Sequence, residues 1–240
     1  MTIADIQDSY GMVASAVTNA SSSSSNRLTN IKLALAAING TRLSPGETFS
    51  FNGTVGKRTA ERGYKLAGAY NAGEVTEEVG GGICQVSTTL FNAAVKADME
   101  IVERHNHSIP VGYVDKGKDA TVDWGAQDLR FTNTSDDDVY ICCFLSDDKR
   151  VRVGIFGKLL EDGRYITVEA VTTAQLNSET EYRVNSFMAP GTQNVLQQGR
   201  TGYTASAYKI VWNADGTQRS KELLCTSRYP ARNTIIEKAP

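Results

Sequence analysis

Apolar residues recur at helical spacing in two stretches of this chain, and they alternate with polar residues in most of the others. Residues 26–39 set isoleucine and leucine among alanines and close on Gly40, which predicts a helix. From Cys84 to about Ala97 the apolar residues fall on one stripe, which predicts a second, amphipathic helix. From about residue 160 onward no long helical pattern follows.

Short alternating runs elsewhere in the chain predict strands. Before residue 160 these runs cover residues 109–114, 120–124, 129–132 and 139–145. In the tail, Ala214-Asp215-Gly216 lies between two such runs and is typical of a β-hairpin turn. The sequence therefore predicts an α+β fold, with helices packed on a mixed or antiparallel sheet and followed by a smaller all-β C-terminal module.

Glycine and serine clusters divide the chain into three parts. Residues 1–25 end in a run of serines, which predicts a flexible N-terminal segment. Gly157 and the pair Asp162-Gly163 predict a boundary, so that residues 26–158 form one domain and residues 159–240 a second. Because the second domain has no helical pattern of its own, we expect it to be separable from the first.

Charge and hydropathy exclude several classes of protein. The 25 basic and 27 acidic residues leave a net charge of -2, which argues against a nucleic-acid partner. No apolar stretch is long enough to span a bilayer. The first ten residues also lack the basic and apolar regions of a signal peptide. These observations predict a folded globular protein and do not by themselves indicate what it binds.

One cysteine differs in its surroundings from the other three. The glycines at positions 80–82 lead directly into Ile83 and Cys84, and then into the predicted second helix. Glycine admits positive φ angles, and a helix N-terminus stabilises a thiolate over a thiol. Cys84 is therefore a candidate nucleophile, and a small buried residue that closes a tight turn is the structural alternative. The remaining cysteines, at positions 142, 143 and 225, are interpreted as small apolar residues.

Both histidines of the chain, His105 and His107, lie downstream of this cysteine. Two positions apart on a strand, they would face the same side, and either could be the general base that takes the thiol proton. We favour His107, because it lies nearest to a Ser-Ile-Pro turn that could re-aim it. Asp123 or Asp119 would orient the imidazole, although both aspartates are equally interpretable as turn residues.

The candidate substrate-binding residues are Gly82, Ser87, Thr88, Arg58 and Arg62. The backbone N–H of Gly82, together with that of the cysteine, would form an oxyanion hole. Ser87 and Thr88 follow the cysteine on its helix face and would line the acyl site, or would simply pack. The two arginines would hold carboxylates by bidentate pairing, and as loop residues they are equally interpretable as solvent-exposed charges.

A zinc site is a competing interpretation of the same residues. A cysteine, two histidines and an aspartate are all possible zinc ligands. No second cysteine lies at the spacing of a zinc motif. We therefore expect neither a metal nor another cofactor.

Several segments between residues 29 and 156 resemble the VanW domain, a bacterial family linked by name to glycopeptide resistance. The matching runs are Asn30-Ile31-Lys32, residues 39–40, 45–52 and 58–64, the Gly80 to Thr88 segment, Glu103-Arg104-His105 with His107, and Asp119-Ala120-Thr121-Val122. The tail is similar to the G-five module, a small β unit of cell-surface proteins. Its matching runs are Pro190-Gly191-Thr192, residues 198–202 and the Asp215-Gly216 hairpin.

The resemblance implies an extracytoplasmic protein of the bacterial cell envelope that acts on peptidoglycan stem peptides and whose full-length form is membrane-anchored. Some VanW-type domains are thought to be L,D-transpeptidases that use the cysteine of a GGGICQ motif, which is Cys84 here. In the better-known L,D-transpeptidase signature a histidine precedes the cysteine. Because the order is reversed in this chain, the geometry of that fold cannot be transferred.

We therefore expect a cysteine acyltransferase that forms stem-peptide cross-links through a Cys84 thioester. With water in place of the acceptor amine, the same site would be an L,D-carboxypeptidase. The alternative is a non-catalytic wall-binding or scaffold protein associated with glycopeptide resistance.

Overall fold

The computed structural model describes residues 9–71 and 74–240. Within them lie the helices α1 (Ser25–Ile38), α2 (Phe51–Val55) and α3 (Ile83–Lys96). The hydroxyl of Ser24 accepts the backbone N–H of Arg27 and caps the N-terminus of α1. The two long helices that the apolar pattern predicts are confirmed to within one residue at each end.

The strands form several sheets. They are β1 (Tyr10–Asn19), β2 (Arg42–Leu43), β3 (Thr48–Ser50), β4 (Leu66–Asn71), β5 (Glu74–Val79), β6 (Glu100–Glu103), β7 (Arg130–Thr132), β8 (Val139–Leu145), β9 (Arg150–Lys158), β10 (Tyr165–Leu176), β11 (Thr180–Val184), β12 (Gln193–Gln197), β13 (Gly202–Trp212), β14 (Gln218–Tyr229) and β15 (Thr234–Lys238). The first domain holds an antiparallel sheet in the order β1-β9-β8-β2, a small sheet β3-β7-β6 and the hairpin β4-β5. With its two long helices, the chain is an α+β protein.

Strand β1 corrects the prediction of a flexible segment over residues 1–25. It pairs with β9 along its whole length, from Tyr10 to Asn19. Its buried Thr18 faces α3, where the Thr18 hydroxyl lies 2.8 Å from that of Thr89. The serine run that follows forms a turn and the cap of α1 rather than a free linker. Residues 1–8 of that predicted segment lie outside the described residues.

Both long helices and the largest sheet contribute to one hydrophobic core. Its fully buried members include Ile31, Leu90, Phe91, Ile141 and Ile155. Each such side chain contributes about 1.5–3 kcal/mol relative to its exposed state, so this core is the main source of stability for the first domain. Helix α3 is buried over nearly all of its length, which fixes the position of its N-terminus.

The segment between β6 and β7 is irregular, and the strands predicted at residues 109–114 and 120–124 are wrong. Only isolated bridges occur among its described residues, between His105 and Thr121 and between Asp123 and Gln127. Backbone groups of this segment are hydrogen-bonded to polar side chains of α3 instead of to a neighbouring strand.

Three polar side chains of α3 anchor this irregular segment. The hydroxyl of Ser87 donates to the carbonyl of Ala120 at 2.7 Å, and the N–H of Ala120 donates to the Thr88 hydroxyl at 2.9 Å. The Asn92 amide donates to the carbonyl of Lys118 at 2.8 Å. Buried polar groups need such partners, so the helix and the segment constrain each other.

The glycine turn before α3 has a separate steric reason at each position. Gly80 and Gly82 have φ angles of 94° and 107°, which favour glycine. At Gly81 a Cβ atom would lie 2.3 Å from the carbonyl oxygen of Ala67 on β4. Asn30 of α1 holds the turn from the other side, because its amide donates to the carbonyl of Gly81 at 2.9 Å.

The tail is all-β, as the sequence predicts. It contains the sheets β10-β13-β14 and β11-β15-β12, and β11 runs parallel to β15. The predicted hairpin is confirmed, since β13 and β14 are antiparallel and joined by a turn that contains Asp215 and Gly216. Among the described residues no sheet is shared with the first domain.

Buried polar contacts nevertheless join the tail to the first domain. The Arg104 guanidinium donates to the Ser227 hydroxyl at 2.8 Å. The N–H of Gly117 donates to the Tyr229 hydroxyl at 2.8 Å. Both tail residues lie at the end of β14, and Asp98 of the first domain adds ion pairs to Arg164 and Lys209 of the tail. That the tail can be separated from the first domain stays a prediction.

Replacing Gly81 by alanine is expected to lower the free energy of unfolding by about 2 kcal/mol or more, because the new Cβ collides with backbone that cannot move aside. The matched control is Gly112→Ala, since Gly112 has open space around it and should change stability by less than about 0.5 kcal/mol. Urea denaturation of both variants checks this. Equal stabilities would contradict the close approach of the two segments.

Candidate active site

Cys84 is the second residue of α3, and Ile83 separates it from the glycine turn. Its Sγ lies 3.5 Å from the Thr121 hydroxyl and 3.5 Å from the carbonyl oxygen of Val122. Among the described residues, the N–H groups of Gly82 and Cys84 make no backbone hydrogen bond. A helix N-terminus with free N–H groups favours negative charge, so this position suits both a thiolate and an oxyanion.

His107 lies between Cys84 and Asp119. Its Nδ1 is 2.8 Å from Asp119 Oδ2, and its backbone N–H donates to the same oxygen at 2.7 Å. The ring also makes a hydrogen bond with the Cys84 sulfur. His107 is only 5% exposed and Asp119 is fully buried. The order of cysteine, histidine and carboxylate matches the order of nucleophile, base and orienting group in a catalytic triad.

The charges within this group reinforce one another. Burial raises the pKa of the Cys84 thiol, but its hydrogen bond to His107 and the charge on that ring outweigh burial and lower the pKa to about 7. Burial lowers the pKa of His107, but its hydrogen bonds to Asp119 and Cys84 outweigh burial and raise the pKa to about 9. Between those two values the pair is a thiolate and an imidazolium. By contrast, burial raises the pKa of Cys143 to about 12.

Asp119 is ionised in this environment although it is buried. Burial raises the pKa of its carboxyl, but hydrogen bonds from His107 and Tyr229 and the charge of Arg104 outweigh burial and lower it. Oδ1 accepts the Tyr229 hydroxyl at 2.5 Å and lies 3.1 Å from Arg104 Nη2. Each carboxylate oxygen therefore has a separate set of partners.

Two of the predicted catalytic residues, His105 and Asp123, are not part of the Cys84–His107–Asp119 group. His105 Nε2 is 3.0 Å from Glu103 Oε1, and the His105 side chain is 40% exposed. Because β6 ends at Glu103, the two histidines are not on one strand, and the expectation that they face the same side is wrong. Asp123 lies on the cleft beside Cys84, but Asp119, which the sequence left as the second choice, occupies the position against His107.

Some of the predicted substrate-binding residues line the cleft that contains Cys84, and others do not. Gly82 and Arg58 line the cleft that contains Cys84. Ser87 and Thr88 are fully buried and hold the irregular segment, so they do not line an acyl site. Arg62 donates to the carbonyl of Lys57 at 2.5 Å and lies outside the cleft lining.

Three residues of the site or its supports were missed by reasoning from the sequence. Asn30 and Arg104 lie within the runs that resemble the VanW domain, and this was the available signal. Asn30 holds the glycine turn and Arg104 holds Asp119. Tyr229 is 110 residues from Asp119 along the chain, and no local pattern indicates its role.

Cys84 opens on a cleft of about 570 Å³ between the domains. Most of its lining belongs to the first domain, and Arg228 and Pro230 come from the tail. The charged lining residues are Arg27, Lys57, Arg58 and Arg228, with Glu78 and Asp123. Within the described residues none of the four basic side chains forms a salt bridge. The cleft is therefore suited to a ligand with carboxylate groups.

Two features of other classes of protein are missing from the described ranges, 9–71 and 74–240. No group of three or more His, Cys, Asp and Glu side chains is arranged to hold a metal ion there. None of the helices in these ranges has the length and apolar character needed to cross a membrane.

We expect Cys84 to react with iodoacetamide at neutral pH, with a rate that rises through pH 7 as the thiolate forms. His107→Asn removes the groups that lower the thiol pKa, so the rate at pH 7 should fall at least about tenfold. The matched control is His105→Asn, which should leave the rate unchanged. Peptide mapping by mass spectrometry is needed to separate Cys84 from the exposed Cys142. Equal losses in the two variants would contradict the pairing of Cys84 with His107.

Comparison with known proteins agrees with the resemblance noted in the sequence. Residues 26–156 match the family described as VanW like protein, and residues 167–238 match the G5 domain. The chain is 52% identical over 117 residues to the uncharacterized protein YoaR of Bacillus subtilis (strain 168). This match covers 49% of this chain and 39% of that protein.

It is also 34% identical over 142 residues to the vancomycin B-type resistance protein VanW of Enterococcus faecalis (strain ATCC 700802 / V583), which covers 57% of this chain and 50% of that protein. This chain thus spans half or less of the length of these relatives.

Two solved structures are similar to part of the chain. The G5 domain of an IgA1 protease is 22% identical and covers 33% of this chain and 95% of that one, with a TM-score of 0.27. The HP0197-G5 structure is 25% identical and covers 31% and 96%, with a TM-score of 0.22. Because the VanW-like match covers more than half of the chain, this protein belongs to the VanW-like family and carries a G5 domain in its tail.

Proposed function

We propose that this protein is a cysteine acyltransferase of the bacterial cell envelope that forms cross-links between peptidoglycan stem peptides, as an L,D-transpeptidase does. The observation that carries the proposal is the Cys84–His107–Asp119 group, whose sulfur opens on a basic cleft. A structural cysteine needs neither a buried charged histidine beside it nor a carboxylate behind that histidine. The membership in the VanW-like family supports the same substrate class.

In the first half of the reaction, the Cys84 thiolate attacks the carbonyl carbon of the L-centre of the third stem residue. The N–H groups of Gly82 and Cys84 donate to the oxyanion that forms. The amide C–N bond then breaks, and the His107 imidazolium gives its proton to the departing amine of D-alanine. The products of this half are a thioester on Cys84, a neutral His107 and free D-alanine.

In the second half, an amine from a neighbouring stem attacks the thioester carbonyl. The neutral His107 takes the proton that this amine loses, and the C–S bond breaks as the new amide forms. The thiolate and the imidazolium are thereby restored. Asp119 keeps the imidazole in one orientation and stabilises its charged form in both halves. Water in place of the amine would release a tripeptide stem and make the protein a carboxypeptidase.

The cleft charges support a stem peptide as the acyl donor. Arg58 lies close to Cys84, so a negative charge on the sulfur stabilises the positive charge of the guanidinium. Its Nη1 donates to Asn52 at 2.6 Å, while its buried Nη2 has no partner among the described residues. Arg228 approaches from the tail. These arginines, rather than Arg62, are the groups we assign to stem-peptide carboxylates.

Localisation outside the cytoplasm follows from this substrate and belongs to the same proposal, as does a membrane-anchored full-length form. The competing function is that of a non-catalytic wall-binding or scaffold protein. That function would leave the paired charges of Cys84 and His107 without a role.

A direct test incubates the protein with a muropeptide that carries a tetrapeptide stem and analyses the protein by mass spectrometry. We expect an adduct on Cys84 that is heavier by the stem without its terminal alanine, together with released D-alanine. Cys84→Ala should abolish the adduct, and Cys84→Ser should slow turnover about 10³-fold or more, because a hydroxyl is a far weaker nucleophile here. Turnover should rise through pH 7 and fall above about pH 9, where His107 loses its proton.

The matched control is Cys142→Ala, which removes an exposed cysteine outside the cleft and should leave turnover unchanged. A folded wild-type protein that gives neither adduct nor D-alanine with this substrate would contradict the proposal and favour the wall-binding function.

A further inference from the structure

The end of β14 places a tyrosine hydroxyl directly behind the candidate active site. Tyr229 is 1% exposed, and it is the largest of the fully buried side chains in the described residues. Its hydroxyl lies 2.5 Å from Asp119 Oδ1 and accepts the N–H of Gly117 at 2.8 Å. Tyr229 belongs to the G5 domain, whereas Asp119 and Gly117 belong to the VanW-like domain.

The direction of these hydrogen bonds is fixed by their chemistry. A backbone N–H can only donate, so the bond from Gly117 uses an acceptor position of the Tyr229 oxygen. The single hydroxyl proton must then point at the carboxylate of Asp119. Burial and the negative charge of Asp119 raise the pKa of Tyr229, so the hydroxyl keeps this proton at neutral pH.

The two carboxylate oxygens of Asp119 have different hydrogen-bond partners. Oδ2 faces the ring and the backbone N–H of His107, and Oδ1 accepts from Tyr229 and Arg104. A carboxylate held at both oxygens cannot rotate away from the imidazole. Arg104 is in turn bound to the hydroxyl of Ser227, two residues before Tyr229 on β14. One donor to Oδ1 thus belongs to β14, and the other contacts this strand while also donating to the carbonyls of Asp119 and Gly117.

We infer that Tyr229 is a positioning residue for the catalytic group, and that the G5 domain is a working part of this active site rather than an independent wall-binding module. The inference rests on the proposed acyl transfer, because it concerns the orientation of Asp119 during that reaction. Tyr229 does not touch the sulfur or the substrate, so it acts only through Asp119 and His107.

The test uses the full chain and four variants: Tyr229→Phe, Asp119→Asn, the double variant and, as a matched control, Tyr208→Phe. Tyr208 is a half-buried tyrosine on the neighbouring strand β13, and it is not among the hydrogen-bond partners of Asp119 in the described residues. Two rates are measured for each: alkylation of Cys84 by iodoacetamide at neutral pH, and acyl transfer from a tetrapeptide-stem muropeptide, resolved into kcat and KM. Thermal unfolding shows that each variant is folded.

We expect Tyr229→Phe to lower kcat about tenfold to a hundredfold with KM nearly unchanged, because a hydrogen bond to a charged group is lost away from the substrate. Alkylation of Cys84 should slow as well. In the Asp119→Asn background, Tyr229→Phe should have almost no further effect on either rate, since the neutral amide no longer stabilises the His107 imidazolium and its orientation ceases to matter. Tyr208→Phe should match the wild type.

Losses that multiply in the double variant, or a Tyr229→Phe protein as active as the wild type, would overturn the inference. Should Tyr229→Phe fail to fold, Tyr229→Met, which also lacks the hydroxyl, takes its place, and a folded Tyr229→Met protein with wild-type kcat would overturn the inference equally. Absence of acyl transfer in the wild type would instead count against the proposed function. Alkylation is measured without a muropeptide. The alkylation rates therefore test whether Tyr229 affects Cys84, whether or not the wild type transfers acyl groups.

Discussion

The buried carboxylate of Asp119 is the interaction on which the rest of the site depends. A charge in a protein interior is stable only when it is paired and hydrogen-bonded, and this one has His107, Arg104 and Tyr229 as partners. Its charge keeps a proton on His107, and the charged ring in turn lowers the pKa of the Cys84 thiol. Three segments that are distant in sequence therefore form one electrostatic unit, in which the charge of Asp119 affects the Cys84 thiol through His107.

Helix α3 links Cys84 to the segment that carries Asp119. Cys84 lies in its first turn, and its buried side chains Ser87, Thr88 and Asn92 hold the irregular segment on which Asp119 lies. One rigid helix thus sets the distance between Cys84 and Asp119. An irregular segment is usually mobile, but these hydrogen bonds hold Asp119 in place.

The sequence predicted those parts that depend on local patterns. Apolar periodicity indicated both long helices, and the glycine run indicated the turn before Cys84. Prediction from the sequence failed where contacts between distant residues determine the structure. Asp123 was chosen over Asp119 from the sequence, because the contacts that aim Asp119 at His107 are not local: Ser87 and Thr88 anchor residue 120, and Arg104 and Tyr229 hold the carboxylate. A flexible segment was predicted where β1 lies, because β1 is stabilised by pairing with β9 at the other end of the first domain, and no local pattern indicates that pairing.

Nitrogen-15 NMR of the histidine rings tests the central claim most directly. The chain contains only two histidines, so a His105→Asn variant reports His107 alone. Midway between the pKa values of about 7 for Cys84 and about 9 for His107, both ring nitrogens of His107 should carry protons. In a Cys84→Ala variant the pKa of His107 should fall, because the thiolate no longer favours the charged ring. A neutral His107 at that pH in the protein with Cys84 intact would contradict the thiolate–imidazolium pair.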